Sequence, residues 1–195
     1  MGLLISAICV FGVGVAVGLM TKQYADRQRI DLRDRHQEAE AALRSAIARR
    51  RLVAENLIDT LSDQFSGQAQ LQRIRAAETK VKHLIDNDGS IVDLVGCQQE
   101  LNESIEIVLP LLSADSHPYG KLVDACVRGW NETIEPIDQT MLAYNDTVMT
   151  WNAFLQSGLG RWFGRSNDAA PLNCVDWDSD SSDAGSQSKR AKAST

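Results

Sequence analysis

The sequence lacks the residue clusters that most enzymes and metalloproteins require. It contains no HExxH, no GxSxG, no phosphate-binding glycine loop and no dinucleotide-binding glycine fingerprint. The three histidines, His36, His83 and His117, are far apart and each has polar neighbours, which favours a solvated role over catalysis or metal binding. We therefore expect no enzymatic activity, no catalytic residue, no metal site and no cofactor.

Cysteine and net positive charge are also scarce. The four cysteines, Cys9, Cys97, Cys126 and Cys174, are widely spaced and form no CxxC pair, which excludes a zinc frame and a disulfide framework. The formal net charge of −6 gives no bulk electrostatic attraction to nucleic acid. We therefore expect no nucleic-acid partner.

One long apolar run stands at the N-terminus. From Leu3 to Met20 the chain carries no charged residue, and as a helix this run would extend about 27 Å, enough to cross a hydrocarbon core. A basic leading region and an Ala-x-Ala exit, typical of a cleaved signal peptide, are absent. The run predicts an uncleaved transmembrane anchor over residues 1–21. Gly14 and Gly18 either let two such helices approach, which leaves a homo-oligomer open, or are tolerated filler.

Basic residues follow this run and predict its orientation. Positive charge stays on the cytoplasmic side of a membrane helix, so these residues place the bulk of the chain in the cytoplasm. The predicted localisation is single-pass in the cell membrane, with the lipid bilayer as a partner. The residues concerned are Lys22, Arg27, Arg29, Arg33 and Arg35.

The rest of the chain has helical periodicity. Residues 22–42 have few large apolar side chains and predict a stalk or helix extension, and residues 43–164 predict the bundle. Further helices are expected at 69–85 and 91–112, with a turn at 86–90 and a loop at 113–120. The first apolar stripe consists of Leu43, Ile47, Ala54, Leu57 and Leu61.

The longest apolar seam follows that loop and continues past Pro136, which predicts one kinked helix. Residues 165–195 predict a mostly disordered polar tail. The fold class is therefore all-α: an N-terminal transmembrane helix followed by an antiparallel bundle of three to four long helices. The seam consists of Val123, Cys126, Trp130, Ile134, Ile137, Met141, Tyr144, Val148, Trp151 and Leu155.

Polar residues on the apolar stripes are candidate contacts between helices. Arg50 lies on the first stripe and is either a boundary residue or a partner of an acid such as Asp138 or Asp146. Tyr144 and Trp151 lie one heptad apart and should enter the core. Asn145 and Asn152 follow them at the edge of the seam, where we favour an amide bond to a neighbouring helix that fixes its register, with ligand binding as the alternative.

These features resemble the LemA family of bacterial membrane proteins. The resemblance includes the "RRLVAENLIDTL" stretch with Arg49, Arg50, Asn56, Leu57 and Leu61 in matching places. A second element combines an isoleucine with Tyr-Asn and Asn on one helix, here Ile137, Tyr144, Asn145, Val148 and Asn152. The third is an aromatic-rich end with Ala-Pro and Val-x-aromatic, here Phe163, Pro171, Val175 and Trp177.

The resemblance implies a membrane-anchored, mostly cytoplasmic helical bundle without established enzymatic activity, acting through protein partners of unknown identity. It places the anchor in the inner membrane or in the membrane of a specialised compartment. It also places Asn56 among the expected structural contacts. The favoured hypothesis is a scaffold or interaction protein. The alternative is a membrane-tethered sensory or ligand-binding bundle, and a hydrolase or metalloenzyme is the least favoured.

Overall fold

The computed structural model describes residues 2–65, 69–112, 120–163 and 170–176, and it describes no side chains for 2–11, 63–65, 111–112, 120 and 162–163. Within these residues the chain is helical apart from turns and one extended segment, and no strand occurs in them, so the all-α prediction is confirmed. The helices are α1 (Gly2–Phe65), α2 (Ala69–Asp86), α3 (Ile91–Glu106), α4 (Leu109–Leu112), α5 (Gly120–Glu132), α6 (Ile134–Gln156) and α7 (Gly158–Phe163).

The predicted transmembrane anchor is contradicted. No helix in the described part of the chain is both long enough and apolar enough to span a bilayer. The described side chains of α1 begin at Gly12, and charged residues follow in the same helix from Lys22 onward, so the described apolar stretch is short. By this finding the span from Leu3 to Met20, the single-pass topology and the inner-membrane localisation are wrong. The side chains of the predicted span before Gly12 lie outside the described residues.

The long helix α1 organises the bundle, and α6 runs antiparallel to it. His36 of α1 bonds to Thr147 of α6, whereas Arg50, fourteen positions later in α1, bonds to Thr133 just before α6 begins. Residue numbers therefore rise along α1 as they fall along α6. Leu32, within the predicted stalk, is buried against Trp151 near the end of α6.

The helices α2 and α5 also run antiparallel to α1. Arg51 pairs with Glu78, while Ser62 accepts a hydrogen bond from the earlier residue Arg75 of α2. The turn after α2, within the predicted range 86–90, includes Asp88, whose φ of 48° is left-handed. The predicted helix over 69–85 is confirmed by α2.

One apolar core joins these helices. The first predicted stripe is buried along its whole length, because its three- and four-residue steps keep it on one face of α1. Side chains from α2, α3, α5 and α6 pack against it. The stripe residues in this core are Leu43, Ile47, Ala54, Leu57 and Leu61.

The long seam divides between two helices. Most of its large residues are buried on both sides of a turn at Thr133, as at Trp130 and Ile137, but Ile134 is exposed and Leu155 is half-buried. Pro136 falls in the first turn of α6, where a missing N–H breaks no intrahelical bond. The prediction of one kinked helix therefore differs from the structure. Two helices meet at Thr133, and Pro136 lies in the first turn of the second helix.

Beyond α6 the chain turns sharply and later returns to the bundle. A Cβ added at Gly160 would lie 2.0 Å from the carbonyl oxygen of Phe154, so only glycine fits where α7 packs against the end of α6. Residues 170–176 are extended, and within this segment Val175 is 3% exposed and belongs to the main core. Part of the predicted polar tail is thus packed on the bundle.

Candidate segment-binding site

Two aromatic-asparagine pairs recur along α6 with heptad spacing. Tyr144 and Trp151 are buried, and Asn145 and Asn152 are half-buried beside them. Seven residues are close to two helical turns, so both pairs lie on the same face of α6. We call these four residues the asparagine clamp.

Each clamp asparagine binds both main-chain groups of one residue in the segment 170–176. Asn145 Nδ2 donates to the carbonyl of Val175 at 2.6 Å, and its Oδ1 accepts the Val175 N–H at 2.8 Å. Asn152 does the same with Leu172, at 2.9 Å and 3.0 Å. These bonds satisfy main-chain groups that the extended segment cannot pair internally.

The aromatic residues of the clamp add bonds of the same kind. Trp151 Nε1 donates to the carbonyl of Ala170 at 3.1 Å, and the Tyr144 hydroxyl donates to the carbonyl of Asn173 at 3.5 Å. In each pair, the aromatic residue binds one main-chain carbonyl of the segment, and the asparagine binds the N–H and C=O of the residue two positions later. All these polar contacts of the clamp therefore go to the main chain of the segment.

The spacing of the clamp matches the spacing of an extended chain. Seven residues of α-helix rise about 10.5 Å, and three residues of extended chain advance about 9 to 10 Å. Contacts repeating every seven residues on α6 can therefore repeat every three residues on the segment, from Leu172 to Val175. The segment runs antiparallel to α6, since the later asparagine binds the earlier residue.

Two aliphatic side chains anchor the segment. Val175 is buried in the main core, while Leu172 is half-buried and packs against both this core and the cluster of Leu32, Trp151 and Phe154. The other five side chains of residues 170–176 are exposed. The site therefore has one side-chain requirement: two large aliphatic residues three positions apart.

His36 supports the clamp from α1. Its Nδ1 lies 3.2 Å from Thr147 Oγ1, and its ring centroid lies 5.1 Å from that of Tyr144. Because the Thr147 hydroxyl donates to the Tyr144 carbonyl, it accepts from His36, which places the proton of the neutral ring on Nδ1. Burial lowers the pKa of His36, partly opposed by Glu40, and burial raises the pKa of Tyr144.

A cavity of about 230 Å³ lies at the N-terminal end of the clamped segment. The cavity is lined by side chains of α1, by Trp151 of α6 and by the segment itself. Polar and charged side chains dominate the α1 wall, and the opposite wall is apolar. The lining residues are Arg29, Arg33, His36, Gln37, Glu40, Trp151, Ala170 and Leu172.

Arg50 forms a separate buried polar contact deeper in the bundle. Its Nε donates to Asn102 Oδ1 at 3.1 Å, its Nη1 donates to Thr133 Oγ1 at 3.3 Å, and its guanidinium lies 3.8 Å from the ring centroid of Trp130. Burial lowers the pKa of Arg50 to about 10, against the opposing effect of Asp138 and Glu106. Arg50 therefore joins α1 to other parts of the bundle, but these contacts go to Asn102, Thr133 and Trp130, whereas the sequence analysis named an acid such as Asp138 or Asp146.

The remaining predicted site residues have different outcomes. Asn56 is exposed, and its side chain bonds to no other helix within the described part of the chain. Asn145 and Asn152 bond to an extended segment, whereas the sequence analysis expected a neighbouring helix. Sequence reasoning missed Leu172 and Val175 as their partners, although Leu-x-x-Val after a proline is an available signal. Across residues with described positions, no three His, Cys, Asp or Glu side chains are grouped to hold a metal.

Comparison of the chain with protein-family models, with curated proteins and with solved structures finds no match in any of the three. The likeness to the LemA family therefore stays a prediction based on the motifs quoted above.

Proposed function

We propose that this protein is an interaction protein whose helical bundle binds an extended polypeptide segment in the asparagine clamp. The proposal is based on the two hydrogen bonds that Asn145 forms with Val175 and the two that Asn152 forms with Leu172. Since these hydrogen bonds go to the main chain, a polypeptide segment of a different sequence can form all of them. The partner we propose carries two large aliphatic residues three positions apart in an extended stretch.

The chain's own segment 170–176 serves as an internal ligand in this proposal. It is held by six main-chain hydrogen bonds to α6 and by two aliphatic anchors, and most of its side chains remain exposed. An incoming segment with the same anchors would compete for the same bonds. The protein acts as a scaffold through this exchange, without chemistry on the partner.

The LemA-like motifs support the same proposal. The element with Tyr144, Asn145 and Asn152 forms one side of the clamp, and Val175 of the closing motif is a clamped residue. Two motifs that are far apart in sequence are thus the two halves of one binding arrangement.

The test uses a peptide with the sequence of residues 168–178, labelled with a fluorophore and carrying Cys174→Ser. It is titrated against the full chain with Leu172→Ser and Val175→Ser, which weakens the internal ligand by removing both aliphatic anchors. We expect saturable binding by fluorescence anisotropy. Adding Asn145→Ala and Asn152→Ala should weaken it at least tenfold, because about 1 kcal/mol per hydrogen bond is lost at four bonds.

The matched control is Asn131→Ala, which removes an exposed asparagine of α5 and should leave the affinity unchanged. Circular dichroism of every variant establishes that the helical bundle persists. A peptide that fails to bind, or that binds equally well without the two clamp asparagines, would assign residues 170–176 a purely structural role.

A further inference from the structure

The cavity beside the clamp has a cationic wall. Arg29 and Arg33 lie four residues apart on α1, so both side chains line the cavity from adjacent helical turns. Across the described residues, no carboxylate lies within ion-pair distance of either guanidinium. The opposite wall is formed by Trp151 and Leu172 and is apolar, while Arg33 and Ala170 are exposed, so the cavity opens to solvent on one side.

The other charged group in the cavity is already engaged. Glu40 Oε1 accepts from Nε and Nη2 of Arg44 at 2.9 Å and 2.8 Å, so its charge is largely compensated. His36 is favoured in its neutral form because burial lowers its pKa. The net charge presented to an occupant is therefore positive, which favours an anionic group.

We propose that this cavity binds an acidic side chain of the clamped segment, either a carboxylate or a phosphorylated residue, at the position of Ala170. The inference rests on the proposed function and adds a charge requirement to the partner. Ala170 lines the cavity but carries no polar side chain. The chain's own segment thus leaves the arginines unused, and a partner with an acid at this position would displace it.

The ligand preference is measured with the peptide of residues 168–178 carrying alanine, glutamine, glutamate or phosphoserine at the position of Ala170. The receptor is again the full chain with Leu172→Ser and Val175→Ser. The glutamate peptide should bind about three to ten times more tightly than the glutamine peptide, as expected for a partly exposed charge-assisted contact. Comparison of the phosphoserine and glutamate peptides identifies which acid the cavity prefers.

Arg29→Gln together with Arg33→Gln should abolish the difference between the glutamate and glutamine peptides while leaving the affinity of the glutamine peptide unchanged. The control, Arg73→Gln with Arg128→Gln, removes the same charge at exposed positions elsewhere and should preserve the preference. Equal binding of all four peptides would overturn the inference while leaving the proposed function intact.

If no peptide binds, a measurement within the chain itself tests the acidic site separately from the proposed function. Ala170→Glu and Ala170→Gln are introduced into the otherwise unchanged full chain, and hydrogen exchange is measured at the amides of Leu172 and Val175. Both amides donate to clamp asparagines, so their protection reports docking of the segment. Three- to tenfold higher protection with glutamate, lost when Arg29 and Arg33 become glutamine, supports the acidic site, and equal protection overturns it.

Discussion

Asn145 and Val175 exchange two hydrogen bonds, with the side-chain amide of one meeting both main-chain groups of the other at 2.6 Å and 2.8 Å. The N–H of Val175 can only donate, so it fixes the orientation of the Asn145 amide. Val175 is buried as a result, in a stretch of chain whose neighbours are mostly exposed. This relationship shows how a helix holds an extended chain without a β-sheet.

Asn145→Asp should release the end of the segment that contains Val175. The carboxylate can still accept the Val175 N–H, but it cannot donate to the carbonyl, and the two oxygens would repel each other. We expect the protection of the Val175 amide against hydrogen exchange to fall at least tenfold, with a smaller effect at Leu172. Asn131→Asp makes the same charge change at an exposed site and should leave both amides protected.

Trp151 makes two contributions that substitutions can separate. Trp151→Ala removes a buried aromatic packed against Leu32 and Phe154 and should lower the free energy of unfolding by about 3–5 kcal/mol. Trp151→Phe keeps most of the packing but loses the bond to the Ala170 carbonyl, and should cost about 1 kcal/mol. Chemical denaturation measures both values. Similar stability of the alanine variant and the unchanged protein would refute the burial of this side chain.

Arg50→Ala should destabilise the bundle through lost stacking and lost polar contacts. The change removes the guanidinium from the face of Trp130 and its bonds to Asn102 and Thr133, at a cost of about 3 kcal/mol. Arg50→Lys keeps the charge but not the planar donors, so an intermediate loss is expected. Thermal denaturation ranks the variants, and equal melting of lysine and arginine would argue against the planar contact.

Acidification should weaken the fold through His36. Burial lowers its pKa below the ordinary value of 6.5, so the unfolded chain binds a proton more readily than the folded chain. The stabilisation that the fold gains from burying a neutral His36 is complete above pH 6.5, and it is lost as the pH falls from 6.5 through the lower folded-state pKa. His36→Gln should reduce the stability difference between about pH 7.5 and about pH 5.5.

His83→Gln provides the matched comparison for the pH experiment, since His83 is exposed in α2. Its pH dependence of unfolding should equal that of the unchanged protein. Identical profiles for all three proteins would mean that His36 is accessible to protons without loss of folding free energy.

Much of the helical architecture could be predicted from sequence, because burial on a helix imposes a period of three to four residues. Leu43, Leu57 and Leu61 of α1 and Trp130 and Tyr144 of the later seam are buried as that period indicates. The break at Thr133 was harder to predict, since a proline fits both a kink and the first turn of a new helix. The transmembrane prediction relied on the length and apolar character of the run from Leu3 to Met20, and the finding on the described helices contradicts it.

For the clamp, too, the sequence and the tertiary structure determine different features. By itself the sequence determined that Tyr144 and Trp151 face the core and that an asparagine stands beside each, because local spacing sets the face of a helix. Only the tertiary structure decided what those asparagines bind. Their partners, Leu172 and Val175, lie 20 and 30 residues away. An extended segment has no internal hydrogen-bond period, so only its docking on α6 reveals where its main chain is paired.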